Sequence, residues 1–74
     1  MLDKQKMFSD VLRAKRHENK LTQEKAAELL EISTRWYNDL ENGKGEPGFK
    51  TICKMAKLYG INFADFAEDE ENII

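Results

Sequence analysis

Seventy-four residues with 41% hydrophobic side chains, one Pro and four Gly make one small ordered domain, with a core near the lower size limit. A single cysteine, Cys53, excludes an internal disulfide, and with His17 as the one histidine no metal or cofactor is expected. The formal charge of −2 argues against a nucleic-acid partner only until its distribution is read: residues 1–64 hold all twelve Lys and Arg against nine acids, whereas 65–74 hold five acids and no base.

Met1 to Lys6 is a charged lead-in expected to fray or to start the first helix early. From about Met7 to Asn19, Phe8, Val11/Leu12 and Lys15/Arg16 recur at helical spacing, predicting an amphipathic helix on which Lys15 buries only its stem. Lys20-Leu21 closes it. The stretch Leu21 to Gly43, LTQEKAAELLEISTRWYNDLENG, then reads as two short helices around a sharp turn at Glu31-Ile32. Thr22 and Ser33 are their hydroxyl N-caps, though Lys25 denies Thr22 the acidic partner of a full capping box. Ala26, Ala27 and Leu30 give the first of the pair an apolar face, and Tyr37 and Leu40 the second. Thr34, Arg35, Asn38, Asp39 and Asn42 lie elsewhere on that second helix, and Gly43 ends it as a left-handed residue.

Lys44 to Gly48 is a loop by its glycines and Pro47. Phe49 starts another amphipathic helix, with Phe49, Ile52, Cys53, Ala56 and Tyr59 spaced toward a core and Lys50, Lys54 and Lys57 outward. Cys53 is thereby a small core hydrophobe. Gly60 stops this helix, and Asn62 reads as the N-cap of a last one, Phe63 to about Ala67, pinning Phe63 and Phe66 to the bundle. The expected chain is all-α, with five helices and no strand: a domain over 1–67 and a solvated acidic tail over 68–74, able to discourage nonspecific DNA binding by repulsion.

The run Leu21-Thr22-Gln23-Glu24, Ala27, Ile32-Ser33, Tyr37, Leu40-Glu41-Asn42-Gly43-Lys44 and Pro47 resembles the phage-repressor/Cro-type (XRE) helix-turn-helix family. Arg13 and Arg16 upstream, and Phe49, Ile52, Ala56, Tyr59-Gly60-Ile61, Phe63 and Phe66 downstream, fall where that family places charged and core residues. The resemblance spans Phe8 to Phe66. Two departures stand out. Glu31 occupies the turn where the family commonly has Gly, and a non-glycine left-handed residue costs about 1 kcal/mol. The Trp36-Tyr37 pair is also bulkier than the family's small polar-plus-aliphatic pair.

The resemblance implies a compact, lambda-repressor-like five-helix bundle with helices 2 and 3 as the motif. Gln23 would touch phosphate at a helix N-terminus, while Ser33, Thr34 and Arg35 would meet base edges in the major groove. Arg35 is the strongest reader, since a guanidinium pairs bidentately with guanine. Asp39 either accepts from cytosine N4 or pairs with Arg35 at i+4 and orients it, the second being slightly favoured. Asn42, Lys44 and the amides around Gly43 would close on phosphate. Trp36 reads as a half-buried packing residue before a thymine-methyl or phosphate contact. Arg16 and Glu41 are implied to form a salt bridge beneath the motif.

The leading expectation is a sequence-specific DNA-binding regulator, most simply a repressor, binding a short palindrome as a weak homodimer. The alternative is an antitoxin-like or coactivator-like protein-interaction module of the same fold, which the acidic pI favours. Partners are thus double-stranded DNA and a second copy, with no membrane and no small-molecule ligand. The absence of a leader and of any apolar run near 18 residues points to a soluble cytoplasmic protein. No acid–base pair, activated nucleophile or phosphate loop is present, so an enzyme is not expected, and His17 has no assigned role.

Overall fold

Hydroxyl caps and left-handed stops divide the described residues into four α-helices: α1 (Lys4–Glu18), α2 (Gln23–Leu30), α3 (Thr34–Glu41) and α4 (Phe49–Tyr59). The computed structural model describes residues 4–62, and these contain no strand. Among the described residues the architecture is all-α with four helices, so the expected count of five is not supported. The helix expected over Phe63 to Ala67 and the acidic tail 68–74 lie outside the described residues.

Local chemistry sets the helix ends. Thr22 Oγ1 accepts from the Lys25 amide and Ser33 Oγ from the Trp36 amide, each at 3.0 Å, so both motif helices open on a satisfied orphan donor. Four residues with positive φ, Lys20 (56°), Glu31 (59°), Gly43 (73°) and Gly60 (67°), stop the four helices in turn. After α2, the Ile32 amide reaches back to Ala27 O at 3.0 Å and the Glu31 amide to Glu28 O at 3.1 Å. The same two-bond closure follows α1, through Leu21 to Arg16 O and Lys20 to His17 O, and follows α3, through Lys44 to Asp39 O and Gly43 to Leu40 O. The motif's turn therefore has left-handed geometry although Glu31 replaces the usual glycine.

α3 is braced by α1 and α2, and α4 leans on α2. Leu12, Ala26, Ala27, Leu30, Tyr37, Leu40, Met55, Tyr59 and Ile61 form the buried core. Ala26 and Ala27 let α2 approach its neighbours closely, and Tyr37 fills the space between. Its hydroxyl lies 2.8 Å from that of Tyr59, which satisfies both buried polar ends. Burial pushes both phenols above their ordinary pKa, so the pair is neutral.

One face is corrected. α4 buries Met55 and Tyr59 and half-buries Ile52 and Ala56. Phe49 is 81% exposed and Cys53 is exposed, so neither is the core residue expected of it. The stripes 49/52/53/56 and 52/55/56/59 are both apolar at helical spacing; contact with α2 selects the second.

Candidate nucleic-acid interface

The site begins with a buried acid. Glu41, in the last turn of α3, is 1% exposed, and its oxygens meet Arg16 of α1: Nε to Oε2 at 2.6 Å and Nη2 to Oε1 at 3.2 Å. Arg16 Nη1 also donates to Leu21 O at 3.0 Å, so one guanidinium ties α1, the α1–α2 connection and α3 together. Burial pushes the Glu41 carboxyl up. Hydrogen bonding to Arg16, with Tyr37 and Gln23 behind it, more than offsets that and holds it below the ordinary carboxylate range. The same bond raises Arg16. Arg13 adds a bond from Nη2 to the Glu41 backbone carbonyl at 2.5 Å, placing positive charge at the C-terminal end of α3.

From Glu41 a chain of side-chain hydrogen bonds runs across the motif. Gln23 Nε2 donates to Glu41 Oε1 at 3.1 Å, Asn38 Nδ2 to Gln23 Oε1 at 3.2 Å, and Asn42 Nδ2 to Asn38 Oδ1 at 3.1 Å. Gln23 and Asn42, two residues expected at phosphates, are thus linked through Asn38. Each amide nitrogen carries a second hydrogen that these bonds do not use. Sequence reasoning assigned Asn38 and Arg13 no such roles, because their partners lie 15 and 28 residues away in the chain.

The first turn of α3 is open. Ser33, Thr34 and Arg35 are exposed at the start of α3, and Thr34 shares a shallow depression with Arg16, Thr22, Gln23 and Glu24. Arg35 has no hydrogen-bond or ion-pair partner among the described residues. Asp39 is half-buried one turn on, and the Arg35–Asp39 pair that i, i+4 spacing allows is not formed. A base preceding an acid at that spacing is the less favourable order, because both charges oppose the helix dipole. Lys44 is exposed beyond Gly43, with its side chain unpaired among the described residues.

The sequence matches the helix-turn-helix family over residues 12–66. Among curated proteins it is similar to the cryptic phage CTXphi transcriptional repressor RstR of Vibrio cholerae, 35% identical over 68 residues, covering 92% of this chain and 61% of the relative. It is also similar to the uncharacterized HTH-type transcriptional regulator YqaE of Bacillus subtilis, 32% identical over 66 residues (89% of this chain, 57% of the relative). A third relative is the uncharacterized HTH-type transcriptional regulator MJ0272 of Methanocaldococcus jannaschii, 38% identical over 53 residues (69% of this chain, 80% of the relative). The chain thus spans about three-fifths of the length of the first two. No solved structure gives a significant match. With residues 12–66 matched and the two capped helices joined by a left-handed turn, the chain belongs to the helix-turn-helix family of the phage-repressor, or XRE, type.

Proposed function

We propose that this domain is a sequence-specific DNA-binding transcriptional regulator, acting as a repressor on a short palindrome that two copies share. The observation that carries the reading is the first turn of α3, where Ser33, Thr34 and Arg35 are exposed on a helix fixed from behind by Arg16 and Glu41. α3 lies in the major groove with this turn toward the base edges, and Arg35, held by no acid among the described residues, pairs with a guanine. Asp39 accepts from a cytosine on its own account. Gln23 and Asn42 offer their second amide hydrogens to phosphates, and Lys44 adds its ammonium. The relatives named as a transcriptional repressor and transcriptional regulators support the same reading.

Selection of bound sites from random DNA, with wild type and Arg35→Ala in parallel, tests it. Wild type should recover a half-site containing guanine. Arg35→Ala should lose about 1–3 kcal/mol on that site and much less elsewhere. An unchanged preference would remove Arg35 as the reader.

A further inference from the structure

Trp36 is the bulky departure at the reading turn, and neither the fold nor the proposed contacts account for its size. It follows Arg35 directly and is half-buried against the core. The far edge of its ring faces Gly45, in the loop after α3: a Cβ placed on Gly45 would lie 2.7 Å from Cη2 and 2.9 Å from Cζ3. Gly45 also holds φ at +124°, a conformation that L side chains rarely adopt. The residue before it is Lys44, whose amide is tied to Asp39 O at 2.8 Å. One rigid ring therefore connects the first turn of α3 to the loop beyond its last turn, and a side chain at 45 would break the contact.

We propose that Trp36 is a positioning residue: by resting on Gly45 it holds the α3–α4 loop, and with it Lys44 and the loop amides, in a fixed relation to the base-reading turn. The inference rests on the DNA-binding reading. An indole has only two side-chain torsions, so it holds its place at low entropic cost. A loop ordered beforehand loses less freedom on binding, and without the ring that ordering falls to the DNA.

Trp36 is the sole tryptophan, so its own emission reports the contact. Gly45→Ala should shift that emission to the red while far-UV dichroism stays that of wild type. Affinity is then measured across a salt series, on the selected site and on random duplex. The variants are Trp36→Phe, Trp36→Ala, Gly45→Ala, Lys44→Ala and the Trp36→Ala/Lys44→Ala double. Trp36→Phe, whose ring ends short of the Cη2–Cζ3 edge that meets Gly45, should bind more weakly than wild type. Trp36→Ala and Gly45→Ala should weaken both duplexes equally, by roughly three- to tenfold, the factor for ordering one or two more side chains on binding. Their salt slope should fall by up to about one unit, with base preference unchanged. In the double variant the losses of Trp36→Ala and Lys44→Ala should combine to clearly less than their sum. If Trp36→Ala loses helical dichroism, Gly45→Ala carries the comparison.

Losses that add in the double variant overturn the inference. So does a Trp36→Phe that binds as wild type, which would leave the Cη2–Cζ3 edge without a part, or a loss confined to the selected site. Wild-type binding with insensitive variants removes this inference alone. A wild type that binds no duplex removes the DNA-binding reading and this inference with it.

Discussion

Glu41 keeps its charge in an apolar interior because donors of Arg16 and Gln23 converge on its carboxylate, with the Tyr37 hydroxyl beside them. Removing Arg16 strands the buried carboxylate of Glu41, a loss of about 3–5 kcal/mol, and removing Glu41 leaves the partly buried Arg16 unpaired at a smaller cost. A double-mutant cycle measured by denaturant unfolding should therefore return a large coupling; a value near zero would mean that each group finds solvent without the other. The pH dependence has a definite sign. The folded carboxyl titrates below its reference of 4.5, so its contribution is complete above that pH and is lost as pH falls through the folded value. Wild type should show an acid limb below about pH 4.5, and Glu41→Gln, though less stable at neutral pH, should show a flatter one. Glu31 is the second residue with a distinctive energetic position. Its φ of 59° strains a side chain with a Cβ, and its pairing with Lys54 is exposed. Glu31→Gly should raise the thermal midpoint by roughly 4 °C. A lowered midpoint would show that the exposed pair outweighs the backbone strain.

Each element of the motif carries two duties on different faces. α3 turns Tyr37, Leu40 and Glu41 inward and leaves Ser33, Thr34 and Arg35 outside, so its fixation and its proposed chemistry do not compete. Because Arg35 and Asp39 do not pair, they are expected to act separately. In site selection, Arg35→Ala and Asp39→Ala should alter different base pairs, and the double variant should show the sum of the two losses. If Asp39→Ala has no effect once Arg35 is gone, the acid serves only to orient the arginine on DNA. Asn38 joins Gln23 and Asn42, the two amides proposed at phosphates, through its bonds to both. Asn38→Ala should weaken binding on all sequences about equally, and a change in base preference would instead make Asn38 a reader.

At the scale of the whole molecule, the proposed sequence-specific reading by one short helix calls for a second copy. A single motif covers a handful of base pairs, which is why proteins of this kind pair half-sites about 10–10.5 base pairs apart. Sedimentation at high concentration, with and without a palindromic duplex, should show self-association that becomes complete on DNA. A monomer throughout, binding one-to-one to the palindrome, would overturn the dimer. On the sequence, Leu58, Phe63–Ala67 and Ile73-Ile74 are left over for such an interface, and Leu58 is partly buried against the core. The others, Phe63–Ala67 and Ile73-Ile74, lie outside the described residues. Phe49 and Leu29 are the large apolar side chains exposed among the described residues.

The sequence alone determined whatever depends on a few neighbouring residues. Thr22 and Ser33 cap helices through bonds three residues long, Gly43 and Gly60 stop them by steric permission, and the order of α1 to α4 follows from these signals. The left-handed stops at Lys20 and Glu31 were less legible, because neither residue carries the glycine signature of that conformation. Tertiary structure decided what periodicity leaves degenerate or cannot reach. Two apolar stripes on α4 fit a helix equally well, and only the position of α2 buries Met55 and exposes Phe49 and Cys53. The Asn38 link, the Arg13 bond to Glu41 O and the ring of Trp36 over Gly45 depend on how helices cross, which spacing along a single helix does not encode.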